Sequence, residues 1–174
     1  DECVVRKLEI VMQQAGVTPD ICPAVRASLD KAQATGAPAG AMVLPDGRVV
    51  TGKTSNLLGA ASSLLMNALK GVSGVDEDLF VISDEVIEPI CKLKKNTLHA
   101  NNPRLHSDET LLALSVSSAT DPVAKELIDH AGDLHGCDAF FSVIISETDE
   151  RLYRTLGINV CCEPKYEKRR FFHK

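Results

Sequence analysis

Nothing in this sequence announces a reaction. It contains no Gly-x-Ser-x-Gly elbow, no His-Glu-x-x-His pair and no Cys-x-x-Cys, so the local signatures of serine hydrolases, zinc proteases and paired-thiolate sites are all missing. No apolar run reaches the roughly 18 residues that a membrane span needs. The opening DECVVRKLEI has neither the basic start nor the unbroken apolar stretch of a signal peptide. The six cysteines, at positions 3, 22, 91, 137, 161 and 162, are too few and too irregular for a disulfide framework. They are expected to be reduced, mostly buried thiols in a cytoplasmic protein. No repeat or low-complexity linker divides the chain.

What is present is ample apolar material, at 44% of 174 residues, enough for one sizeable core. The formal charge of −5 is uneven: residues 163–174 hold five basic and two acidic side chains, a surplus of +3, so the remainder carries −8. An acidic body argues against a nucleic-acid groove, whose affinity comes largely from phosphate contacts. The basic end (Lys165, Lys168, Arg169, Arg170, Lys174) suits an acidic partner or a neighbouring domain, or is simply a solvated terminus.

Local signals give an order of elements. Val4–Ala15 has Val4, Leu8, Val11 and Met12 on one face, and a second helix follows Pro23 through Thr35, closed by Gly36. These form a helical entry, residues 1–36. Apolar runs at 41–44 and 48–52 flank Pro45-Asp46-Gly47, a strong hairpin signal. A helix capped by Thr54 or Ser55 is expected through Lys70, with Gly71 as its stop and Gly59 inside it.

Leu79–Ile82 reads as a strand, followed by a helix from Asp84 to about Lys95. Ser107 then caps Asp108–Ala119, and Asp121-Pro122 starts another helix. A strand over 139–145, a helix from about Asp149 to Leu156 and a strand over 158–162 complete the chain. The expected fold is α/β over residues 37–174: a three-layer mixed sheet, an antiparallel hairpin plus parallel strands, with helices on both faces.

Two junctions concentrate chemistry. Gly47 to Thr54 satisfies the phosphate-loop pattern GxxxxGK[ST], but a cradle of inward N–H groups is resisted by β-branched Val49, Val50 and Thr51, and the hairpin is the better reading. What survives is Lys53, Thr54 and Ser55 at a strand-to-helix passage, where free amides, a lysine and two hydroxyls suit an anion.

The second junction is the loop before Ser107. It offers Asn101, Asn102 and Arg104 as ligand-binding groups and His106 as a proton carrier near neutral pH; the same residues also suit simple turn and cap chemistry. Asp129, His130, Asp133, His135 and Cys137 are potential metal ligands whose spacing matches no standard zinc pattern, and no metal is assigned.

The stretches LPDGRVVTGKTSNLLGAASSLLMNALK, IEPICKLK, NNPRLHSDETLLALS and LGINVCCEPKYEKRRFFHK resemble the C-terminal part of the bacterial "domain of unknown function 1846" proteins, from about Gly36 to the end. The resemblance implies a longer protein, consistent with a chain that begins at Asp1 rather than Met, and a phosphotransferase-like activity. It assigns no role to any single residue.

The element order also resembles the cytidine-deaminase fold, but Ala60-Ala61-Ser62 and Pro89-Ile90-Cys91-Lys92 stand where that fold's zinc enzymes place their HxE and PCxxC motifs. The expected partners are the N-terminal domains of the longer protein, a phosphorylated small molecule and a second copy of the chain, with neither nucleic acid nor membrane. No cofactor is specified. The rival expectation is a noncatalytic structural or oligomerisation domain.

Overall fold

The computed structural model describes residues 2–18 and 21–167. Lys168, Arg169, Arg170 and Lys174 of the basic end lie outside the described residues, and Lys165 is exposed. The fold is α/β, with a four-stranded mixed sheet ordered β2-β1-β3-β4 among the described residues.

β1 (Ala39–Val43) and β2 (Val49–Lys53) form the expected hairpin. Residues 49–53 are therefore strand rather than a phosphate loop, and Gly47 takes the left-handed conformation that the turn requires, at φ 84°. β3 (Asp138–Phe141) pairs antiparallel with β1 and parallel with β4 (Asn159–Cys162).

Helices cover both faces. α1 (Glu2–Ala15) precedes α2 (Pro23–Thr35), which has proline in its first turn and left-handed Gly36 at its end, as read from the sequence. α2 lies against β1, where the buried Ser28 hydroxyl donates to the Ala39 carbonyl at 3.1 Å.

On the other face, α3 (Ala60–Ser73) sits directly on backbone. Gly40 and Gly52 are cross-strand partners. A methyl on Gly52 would come within 2.2 Å of the Leu64 main-chain nitrogen, and one on Gly40 within 3.0 Å of the Leu64 side chain. Leu64, Leu65 and Leu69 of α3 then join Met42, Leu105, Leu114, Leu127, Leu134, Phe141 and Tyr153 in the core, each contributing about 1.5–3 kcal/mol of burial.

α3 corrects the expected boundaries. Thr54 and Ser55 do not cap it. The Ser55 hydroxyl instead accepts from the Leu57 and Leu58 amides, at 3.3 and 3.0 Å, closing a turn. Leu57 then accepts from the Leu105 N–H at 2.9 Å, which keeps residues 56–58 out of the helix. Gly59 becomes the N-cap rather than an interior residue, Gly71 lies inside the helix against Leu44, and Gly74 ends it in the left-handed region.

The expected strand over 79–82 does not form, and these residues join neither open edge of the sheet, β2 or β4. Val81 and Ile82 are buried in succession while Phe80 is 91% exposed, a pattern without strand alternation. α4 (Asp84–Asn96), α5 (Ser107–Ser117), α6 (Pro122–Asp129), a short 3-10 turn at Ala131–Leu134 and α7 (Glu147–Thr155) fall close to their expected positions. β3 is shorter than the expected 139–145 run, since Ile144 leaves the sheet to donate to the Lys165 carbonyl at 2.8 Å.

No disulfide joins the cysteines among the described residues, but only Cys137 is buried; Cys3 and Cys161 are exposed, on α1 and on edge strand β4. The expectation of mostly buried thiols is corrected accordingly. Among the described residues no helix is long and apolar enough to cross a membrane.

Candidate functional site

The N-terminal end of β1 and the C-terminal ends of β2, β3 and β4 meet at one end of the sheet, the place where open α/β sheets leave a crevice. A cavity of about 370 Å³ lies there, lined by Pro38, Thr54, the start of α3 from Gly59 to Ala61, the loop from Asn102 to His106, the segment from Val143 to Ser146 with Asp149, and Tyr166 and Glu167.

The loop over 101–106 is tied down before it reaches the cavity. The Arg104 guanidinium donates from Nε to the Ser55 carbonyl at 2.6 Å, and its backbone N–H donates to Asn102 Oδ1 at 3.2 Å. Leu105 accepts from the Ser62 hydroxyl at 2.7 Å. From α4, the buried Lys94 ammonium donates to the Arg104 carbonyl and to Glu109, both at 2.6 Å. Glu109, three residues into α5, in turn accepts the His106 N–H at 2.8 Å. The N-cap of α5 is thus His106, one residue before the expected Ser107.

Asp149 organises the centre. Its Oδ1 accepts from the Ser107 N–H and hydroxyl at 2.8 and 2.7 Å, and its Oδ2 accepts from the Ser146 hydroxyl at 2.6 Å. His106 Nδ1 lies 3.2 Å from the same Oδ2 and 3.3 Å from Ser146 Oγ. One buried carboxylate therefore sits between the N-termini of α5 and α7, where both helix dipoles favour negative charge.

The titration of the pair follows from this geometry. The hydrogen bond to Asp149 raises His106 above its ordinary value, against the opposing effect of burial. Burial raises Asp149, but the bonds from His106, Ser146 and Ser107 outweigh it and hold the carboxyl below its usual range. Both shifts favour an ion pair in which imidazolium faces carboxylate. Nδ1 is taken up by Asp149, and among the described residues Nε2 has no partner.

The N-terminus of α3 differs from those of α5 and α7. Gly59 has no side chain with which to cap it, so the first amides, from Ala60 on, have no intrahelical acceptor. Gly59, Ala60 and Ala61 line the cavity. Of three helix starts converging on this space, two are neutralised by Asp149 and one is open.

Thr54, Asn102, Arg104 and His106 therefore share one cavity. Lys53 and the Ser55 side chain do not join them; they border a separate depression with Lys70 and Phe80, because Lys53 alternates outward at the end of an edge strand. Asn101 is exposed and does not line the cavity. Sequence reading missed Asp149, Ser146, Lys94 and Glu167. Ser146-x-x-Asp149 is a capping pattern that marks the helix start, but nothing local gives Lys94 a different standing from Lys92 and Lys95.

The run 129–137 holds no comparable centre. His130 lies between Asp133, at 2.6 Å, and Glu126, at 3.1 Å, on an exposed helix end. Among the described residues no group of three or more His, Cys, Asp or Glu side chains is placed to hold a metal.

Comparison with known proteins gives a consistent picture. The family described as "Domain of unknown function DUF1846, C-terminal" matches residues 20–172. A UPF0371 protein of Corynebacterium glutamicum is 43% identical over 174 residues, and one of Corynebacterium efficiens is 44% identical over the same length, each covering 100% of this chain. A UPF0371 protein of Streptococcus pyogenes is 39% identical over 173 residues, or 99% of the chain. The chain spans 35% of the length of these curated relatives.

Proposed function

The chain belongs to the family described as DUF1846, C-terminal, and from that premise we propose that it contributes a binding site for the phosphate group of a small molecule, with His106 as the proton-handling residue. The observation that carries this reading is the uncapped start of α3, which opens into the same cavity as Arg104 and the His106–Asp149 pair. Helix amides aligned with the dipole bind phosphate without a dedicated loop. Arg104 and protonated His106 add positive charge, and Thr54 adds a hydroxyl.

The expected chemistry is acid assistance. Asp149 holds Nδ1 and shifts the ring towards its cationic form, from which Nε2 can donate a proton to a phosphoryl or leaving-group oxygen. Asp149 itself stays ionised and orients the ring. A phosphotransferase-like reaction is the class this arrangement suits, and the rest of the longer protein is the source proposed for the second substrate.

The test is thermal unfolding of the chain titrated with phosphate esters against chloride at matched ionic strength. Binding to the folded state alone adds about 2.7 kcal/mol at a hundredfold excess over Kd. A rise with phosphate esters that His106→Gln weakens supports the site. No rise with any phosphate compound overturns it.

A second role is favoured by α1, whose Val4, Leu8 and Val11 face is exposed, at 53%, 58% and 60%. Such a face belongs against apolar surface. We assign it to packing within the longer protein or between copies, a role compatible with the first.

A further inference from the structure

Thr54 stands apart from the other buried polar residues. It is 9% exposed, and every other polar or charged residue buried at least as deeply among the described residues makes a side-chain hydrogen bond. The Thr54 hydroxyl makes none, yet it is not one of the oxygens closed off from solvent. Buried hydroxyls are otherwise almost always paired. Since Thr54 lines the cavity, its hydroxyl is a reachable and unused hydrogen-bonding group.

The fold sets this hydroxyl beside the open helix start. Thr54 and Gly59 flank the turn over 55–58, which is closed by the Ser55 N–H donating to the Leu58 carbonyl at 2.9 Å and the Leu58 N–H donating to the Ser55 hydroxyl at 3.0 Å. The two ends of a closed turn lie side by side. Beyond Gly59, the N–H groups of Ala60 and Ala61 make no hydrogen bond among the described residues, and both residues line the cavity. The loop before α5 is fastened at the same point. The Leu105 carbonyl accepts from the Gly59 N–H at 3.4 Å and from the Ser62 hydroxyl at 2.7 Å, and His106 follows directly. Donors from the end of β2, the start of α3 and the start of α5 thus gather around Gly59.

We propose that Thr54 is the specificity-determining residue of this site: its hydroxyl donates to one of three peripheral oxygens of the bound group, which makes the ligand a phosphate monoester rather than a diester. This rests on the reading of the cavity as a phosphate site and deepens it. A monoester offers one oxygen to the α3 amides, one to Thr54 and one to protonated His106. The amides run parallel to the helix axis and can share an oxygen, whereas Thr54 belongs to a different element and serves another. A diester presents only two such oxygens, so one donor is desolvated without an acceptor.

The experiment is isothermal titration of the chain with methyl phosphate, methyl sulfate and dimethyl phosphate. Methyl sulfate and dimethyl phosphate carry the same single charge but present three and two peripheral oxygens, so comparing them separates oxygen count from charge. One hydrogen bond to a charged acceptor predicts that methyl sulfate binds about tenfold more tightly than dimethyl phosphate. Thr54→Val removes the hydroxyl and nearly keeps the shape of the side chain. It should weaken methyl phosphate and methyl sulfate about tenfold and leave dimethyl phosphate unchanged, and Thr54→Ser should retain the preference. Because the hydroxyl has no partner in the free chain, Thr54→Val should not lower the thermal midpoint measured without ligand, as loss of a structural hydrogen bond would.

Equal binding of methyl sulfate and dimethyl phosphate to the unaltered chain overturns the inference and leaves the phosphate site standing. So does an equal loss for all three anions in Thr54→Val, or no loss for any. A lowered thermal midpoint in ligand-free Thr54→Val means that the hydroxyl serves the fold, and overturns its assignment to the ligand. Failure of methyl phosphate to bind the unaltered chain overturns the phosphate reading itself.

Discussion

Two histidines in this protein are each paired with carboxylates, and they illustrate opposite situations. His130 contacts Glu126 and Asp133, both within one helical turn of it and all exposed. His106 contacts Asp149, which is 43 positions away and has a side chain only 10% exposed. The first pair is a consequence of helical spacing, in which residues three and four apart meet on a surface. The second requires α5 and α7 to be docked, since Asp149 also takes two hydrogen bonds from Ser107. The raised proton affinity of both rings therefore has different meanings: solvated pairing in one case, an assembled site in the other.

The comparison is broken most severely at Asp149. Replacing it with alanine leaves the Ser107 amide and hydroxyl, Ser146 and a cationic His106 without their acceptor, and is expected to cost roughly 3 kcal/mol in urea unfolding. Asp133→Ala should leave the unfolding midpoint unchanged within error, because exposed pairs contribute little.

Next in size is the response to pH. His106 has a folded value above its unfolded one, so its contribution to stability is fully present below about pH 6.5 and lost as pH rises through the folded value. Asp149 works in the opposite sense: its contribution is present above about pH 4 and lost as pH falls through its depressed value. Unfolding measured between pH 3 and pH 9 should show stability declining at both ends, and Asp149→Asn should flatten the profile on both sides.

Smaller still is the effect of salt. Nuclear magnetic resonance titration of the two rings in 0.05 and 1 M salt should move His130 back towards its ordinary value, since exposed charges are screened within about 3 Å at the higher concentration. His106, shielded between α5 and α7, should keep most of its elevation. Equal sensitivity of the two rings would remove the distinction drawn between them.

The same contrast explains what could be read from the chain. The His130 cluster is local, and so are the hairpin at Asp46-Gly47, the Pro23 and Asp121-Pro122 helix starts and the Gly36 stop, each of which lies where short-range rules put it. The loop over 101–106 could be singled out for its polar groups, and its Arg104 is found bonded to the carbonyl of Ser55, a residue of the other junction.

Three things depended on long-range packing and were not readable. Residues 79–82 have strand-like composition but pair with neither edge of the sheet, and Val81 and Ile82 are buried in succession instead. The turn at Ser55 delays α3 because Leu57 and Gly59 bond to Leu105 across the fold. Asp149 reads as an ordinary first-turn acid, and its role follows only from the approach of α5.

The seating of α3 on Gly40 and Gly52 bears on how the cavity can change shape. A helix resting on bare main chain has no side-chain cushion beneath it, so it can neither sink nor tilt without atomic overlap at Leu64. Its open end is in effect a fixed jaw. The segments 143–146 and 163–167, which contribute other lining residues, are fastened to each other by the bond between Ile144 and Lys165, so a shift of one would carry the other with it.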